Sequence, residues 1–263
     1  INYFNSLAQI AKKNQNYEAC MDYLDKTAKL KEITPRLLNT RPKILADYHL
    51  AQNDYEKALE YQNQRVVGLN STFKTRPKHP VRILGIQKQG EILQAKGDYE
   101  EAIQKYQLAL SILSETVSEE NIFQNPGLHD VLLTFDLIPL LRNNASSLKQ
   151  LGIQENKADY LSLSIETYSL ALKMVSEIRA KYPSNYSRSI ISDMNKESIE
   201  DGLDLLYYLQ NQSKEAGNIS AALQFFEQNK ASGLFQSLKD LEARKALGLP
   251  DTVLAKENQI SKE

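Results

Sequence analysis

The chain has no tryptophan and a single cysteine, Cys20. One thiol cannot close an internal disulfide, so packing must hold the fold together, and a reducing, cytoplasmic setting is expected. No apolar run approaches the roughly 18 residues that a membrane span needs. Neither sign of charge dominates: 32 basic and 33 acidic residues leave a formal net charge of −1, so there is no overall excess of positive charge to draw a nucleic acid or an anionic membrane, and neither is expected as a partner. Alternating runs of valine, isoleucine and threonine between turns are missing, and most of the ten glycines and eight prolines fall at helix ends, which excludes a β architecture.

Sites of chemistry are equally scarce. His49, His79 and His129 are far apart with no metal-ligand spacing, and Cys20 has no base near it in sequence. Gly85, Gly90 and Gly97 lie on or between expected helices rather than after a strand, so no phosphate loop is formed. The acidic pairs Glu100–Glu101 and Glu119–Glu120 are read as a helix N-terminal turn and as solvated surface near a helix end. No catalytic residue, cofactor or metal is expected. The chain opens at Ile1 without methionine or a signal-peptide pattern and stops inside an expected helix, so a segment of a longer protein is expected.

What is present is a recurring unit. The chain reads NQNYEACMDYLDKTA from Asn14, QNDYEKALEYQNQRV from Gln52 and KGDYEEAIQKYQLAL from Lys96, with turn tyrosines Tyr17, Tyr55 and Tyr99 spaced by 38 and 44 residues. Three and seven residues after each tyrosine stand Cys20 and Leu24, Ala58 and Gln62, Ala102 and Tyr106, with Ala109 completing the third set. These offsets share one helical face, where a small residue lets two backbones approach and a large one fills the next groove. Twelve residues before each small position is another small residue: Ala8, Ala46 and Gly90. The pattern resembles the tetratricopeptide repeat, stretched beyond its roughly 34 residues by longer linkers. That resemblance implies an all-α, right-handed superhelical solenoid that works by binding rather than by chemistry.

Five hairpins are expected, at about 1–32, 35–72, 79–118, 126–182 and 186–244 within a solenoid over 1–248, with 249–263 starting a connecting helix. In the fourth, a helix over Leu132–Leu151 interrupted by Pro139 pairs with one carrying Ser164, Tyr168 and Ala171. Nineteen residues separate Ala145 from Ser164 where twelve are usual, and the surplus is assigned to the turn around Gly152. In the fifth, helices near 188–212 and 219–242 flank Gly217 and Asn218.

The C-terminal third resembles the end of the repeat array in bacterial CHAT-domain proteins, where such repeats precede a caspase-like peptidase domain. The match rests on Glu227, Lys230, Ala231, Leu234 and Leu238, then on Leu249, Pro250, Asp251 and Leu254, while Ser232 stands where that family often has arginine. The resemblance implies a regulatory scaffold, non-catalytic in itself, whose partners include a C-terminal domain of the same chain and whose catalytic histidine and cysteine lie beyond Glu263. A free-standing peptide-binding adaptor and the sensor half of a bacterial transcription regulator are the alternatives.

For a protein or peptide ligand the expected surface is the concave groove of the first helices. With Ala8, Ala46, Gly90 and Ala145 in register, it presents Asn5, Gln9, Lys12, Lys43, Asp47, Gln87, Lys88, Glu91, Arg142, Asn143, Ser146 and Lys149. Amides can pair with an extended peptide backbone, and Arg or Lys with a carboxylate. A solvated face without a ligand is the plain alternative. The carboxylate clamp of chaperone-binding repeats is not matched: its positions hold Asn5, Gln9, Ile44, Leu84 and Lys88, and shifting one hairpin brings Lys43 but also Asp47.

Overall fold

The structure, a computed structural model, describes residues 6–8, 11, 16–28, 35–131, 134, 136–181 and 185–213. Among these the chain is helical apart from turns, one long loop and an isolated antiparallel bridge between Ser114 and Val131. Residues 6–8 and 11 are helical, and the helices whose bounds fall among the described residues are α1 (Tyr17–Ala28), α2 (Pro35–Ala51), α3 (Tyr55–Thr72), α4 (Pro80–Lys96), α5 (Tyr99–Leu113), α6 (Leu137–Glu155), α7 (Ala158–Lys181) and α8 (Asn185–Ser213). The second helix of the expected fifth hairpin, Gly217, Asn218 and the segment 249–263 lie outside the described residues. No helix among the described residues is long and apolar enough to cross a membrane.

Turn chemistry fixes where each hairpin folds back. Asn53, Gly97 and Asn156 all adopt positive φ, at 58°, 95° and 52°. Glycine and asparagine are the residues that tolerate this conformation, and it closes the preceding helix. At α4 the closure is a Schellman pair, with Gly97 N–H donating to Gln94 O and Asp98 N–H to Leu93 O. Three helices start on capping side chains, α1, α3 and α4: Asn16 accepts from Ala19 N–H, Asp54 from Lys57 N–H and His79 Nδ1 from Val81 N–H, whereas Asp98 before α5 makes no such bond.

The chain forms two compact units, 1–132 and 133–263. In the first, α2 packs on α3, α3 on α4 and α4 on α5. Ala8, Cys20, Ala46, Ala58, Ala102 and Tyr106 are all fully buried. Tyr106 lies against Gly90, so close that a Cβ there would sit 2.5 Å from its Cε1, and its hydroxyl donates to Gln94 Oε1 at 2.9 Å. Burying such a ring contributes about 1.5–3 kcal/mol. Successive hairpins are joined by amides. Gln62 donates to Gly85 O at 2.6 Å, and Gln89 to Asn63 Oδ1.

In the second unit α6 packs on α7, and α8 on both. Ala145, Ser164, Tyr168 and Ala171 are fully buried, and Ser164 Oγ donates to Ala145 O at 2.7 Å. The seven-residue surplus between them is not in the turn, which is only Asn156–Lys157. Ala145 stands eleven residues before the left-handed Asn156, and Gly90 seven before Gly97; Ser164 stands eight after, and Ala102 five after. Each helix has gained about one turn, so the facing residues are preserved. Gly152 is helical, and a Cβ there would meet Leu161 Cδ2 at 2.7 Å. Pro139 does not interrupt α6 either. The helix starts at Leu137, so Pro139 is its third residue, where a missing N–H breaks no intrahelical bond.

Helix α5 ends at Leu113, short of the expected 118, and residues 114–131 form an ordered loop closed by the Ser114–Val131 bridge. Buried Gln107 holds it, with the two N–H groups of its Nε2 shared among the carbonyls of Ser118, Asn121 and Gln124 at 2.8–3.0 Å. Glu119 and Glu120 are exposed in this loop, away from any helix end.

Candidate functional site

The expected binding residues divide between the units, and each set is built on its own. Asn5, Gln9 and Lys12 lie outside the described residues. In the first unit, α2 supplies Lys43 and Asp47, and α4 supplies Gln87, Lys88 and Glu91. The structure joins the last four. Lys88 Nζ is 2.9 Å from Glu91 Oε2 and 3.8 Å from Asp47 Oδ1, and Gln87 Nε2 donates to Glu91 Oε1 at 3.2 Å. Gln87 itself is buried, its Oε1 without a hydrogen-bond partner. Lys43 is exposed on α2.

Sequence reasoning missed Arg65 on α3. It is 7% exposed, its Nε has no hydrogen-bond partner, and burial pulls its guanidinium below the ordinary arginine range while the charge of Asp47 opposes that. Arg65 falls ten residues after Tyr55, as Ala109 does after Tyr99, so a charged residue in a small-residue position was the available signal. Asp47 therefore lies under the influence of two cations, Lys88 and Arg65, and Lys88 is shared with a second acid. Lys88 is already balanced by acids of the same chain.

The second unit repeats this balance with other residues. On α6, Arg142 pairs with Glu197 of α8 and donates to Asn143 Oδ1, and Lys149 Nζ donates to the backbone carbonyl of Asp201 at 3.5 Å. Ser146 neighbours the buried Tyr168 hydroxyl, whose pKa is pushed up by burial first and by the charge of Asp201 second. Burial likewise raises the carboxyl of half-buried Asp201, against the attraction of Lys149 and Arg142. No α8 residue was anticipated here, although Glu197, Asp201 and Asp204 share one helical face by spacing.

Chemically, both surfaces offer amides, hydroxyls and neutralised charge pairs. An incoming carboxylate would have to displace Asp47 or Glu91 from Lys88, or Glu197 from Arg142, and gain little from the exchange. The cysteine and histidines have structural surroundings. Cys20 is buried against Ala8, Ala11, Ile44 and Leu45. His49 stacks on Tyr61 and faces Asp54 Oδ2 at 3.3 Å, His79 caps α4 and stacks on Phe73 at 3.8 Å, and His129 is exposed. No group of three metal-ligating side chains occurs among the described residues.

No protein-family model matches this chain, and no curated protein matches it. Solved structures do. The nearly identical TPR-like repeats of a Podosopora anserina protein described as a kinesin light chain superpose with a TM-score of 0.55 at 17% identity, over 89% of this chain and 95% of that one. A point variant of the same repeats gives 0.56 at 16% identity, over 90% and 95%. At this identity the likeness is one of fold: helical hairpins of the tetratricopeptide-like kind.

Proposed function

We propose that this chain is a protein-interaction scaffold, non-catalytic in itself, which holds a partner polypeptide against the first helices of its hairpins. The observation that carries this reading is the polar, charge-balanced lining just described, on α2 and α4 in one unit and on α6 in the other. With Lys88 and Arg142 already paired, recognition rests on the amide and hydroxyl groups around them, matching the donors and acceptors of a peptide backbone. Random peptides displayed on phage and selected against the chain test this. Enriched peptides should lose affinity for a Gln87→Ala variant in one unit, or for Asn143→Ala or Ser146→Ala in the other, each melting like the parent; peptides that bind all three variants as tightly as the parent would overturn the site.

The larger setting we propose is regulatory, with the array preceding a caspase-like peptidase domain. What supports it is the resemblance of the segment Glu227–Leu254 to CHAT-domain proteins, a segment outside the described residues. Reading the parent frame downstream of Glu263 tests it separately. A strand-borne histidine followed by a cysteine is the expected result, and a helix-turn-helix domain or an early stop would instead leave a transcription-regulator sensor or an adaptor.

A further inference from the structure

The near-zero net charge conceals a segregation. Between Glu60 and Glu91 the chain has no acidic residue and six cations, Arg65, Lys74, Arg76, Lys78, Arg82 and Lys88. The other 26 basic residues, the 32 of the whole less these six, stand against all 33 acidic ones. Arg65 is buried, and Lys88 is paired with Asp47 and Glu91. The other four cluster on the linker between α3 and α4 and on the first turn of α4, where Lys74, Arg76 and Lys78 are all exposed.

This linker is ordered by its own contacts. Arg76 N–H donates to Phe73 O and His79 N–H to Arg76 O. The Phe73 ring stacks on His79 and has the Arg76 guanidinium 5.5 Å from its centroid. Arg82 is held by Asn70 Oδ1 and by the carbonyl of Pro77. One acid answers the cluster: Glu115, 2.9 Å from Lys78, with both side chains exposed. Lys74 and Arg76 have no carboxylate in ion-pair reach among the described residues.

We infer that the α3–α4 linker is a second docking surface, which takes a short acidic segment of a partner protein. The backbone that carries these three exposed cations is already ordered, so only their side chains lose freedom on pairing, and a partner carboxylate exchanges with the single exposed Glu115 at Lys78. The size of the ligand follows from the charge of the rest of the chain. A membrane or a nucleic-acid duplex is an extended negative surface that responds to the charge of the whole chain, which outside this stretch is net negative, whereas a short acidic peptide need touch only the linker.

Fluorescence anisotropy of labelled octaglutamate with the chain tests this, beside a triple variant Lys74→Ser, Arg76→Ser, Lys78→Ser whose melting temperature matches the parent. The expected result is saturable binding that weakens with salt and falls about tenfold in the variant. Absence of octaglutamate binding, or equal binding by the variant, would overturn it. So would tighter binding of phosphatidylserine vesicles or of a short DNA duplex than of the peptide. A parent dimer in sedimentation that the triple variant abolishes would also overturn it, by naming a second copy as the occupant.

Discussion

At Gly90 of the hairpin α4/α5 the approach of the second helix depends on a missing side chain; at Ala145, the matching position of α6/α7, it is made by a hydroxyl, and the missing side chain of that hairpin is Gly152, nearer the turn. Gly90 makes room for the Tyr106 ring, which is held from its far end by Gln94. Ala145 keeps its methyl group, and the opposing Ser164 compensates by donating to the Ala145 carbonyl. The first arrangement fails when volume is added and the second when a polar atom is removed. Length differs as well. About one extra turn in each helix of α6/α7 moves the contact away from the turn without changing which faces meet, because whole turns preserve the angular position of a residue.

The largest loss of stability is expected at Gly90. Gly90→Leu should cost about 3 kcal/mol, since no rotamer avoids Tyr106 without moving α5. A denaturant titration that leaves the midpoint unchanged would show that the ring does not rest there. Next in size is Gln107→Met, which strips one amide from three loop carbonyls and should cost about 1–3 kcal/mol. Limited proteolysis should then cut first within 114–131, and cleavage elsewhere would contradict the assigned pinning role. In the second hairpin, Ser164→Ala should cost only about 1 kcal/mol, because the Ala145 carbonyl keeps its helical partner. A loss as large as that at Gly90 would erase the distinction between the two contacts.

The smallest effect concerns pH. Burial raises the folded-state carboxyl of Asp201 above the ordinary 3.8, so the folded chain holds this proton more tightly than the unfolded chain does. Stability from this group is therefore present below the unfolded value and is lost as pH rises through the raised folded value. Asp201→Asn should accordingly raise the melting temperature at neutral pH, with the gain shrinking as pH falls toward 4. A gain that is flat across this range would assign the effect to something other than the titration.

The repeat was legible because it is periodic. A tyrosine at the turn and small residues three positions on define a helical face whatever the tertiary context, and Cys20, Ala58 and Ala102 are all buried accordingly. Features that depend on the conformation of a single residue were not legible. Asn156 in the left-handed region makes a two-residue turn where spacing suggested a long one, and Pro139 is harmless only because α6 starts two residues earlier. On the candidate surface, α4 and α6 were placed from sequence. The neutralising partners Arg65, Glu197 and Asp201 were not, because they come from neighbouring helices and only packing brings them in. Summing charges over the whole chain also hid the acid-free stretch from 61 to 90.

The shared contact is tested most directly by hydrogen exchange in Gly90→Ala. A single methyl group added to an exposed helix glycine would stabilise it by about 1 kcal/mol, so propensity and packing make opposite predictions at this site. The contact described here predicts faster exchange in α4 and α5, reaching α3 through the bond from Gln62 to Gly85. Unchanged or slower exchange in those helices would contradict it.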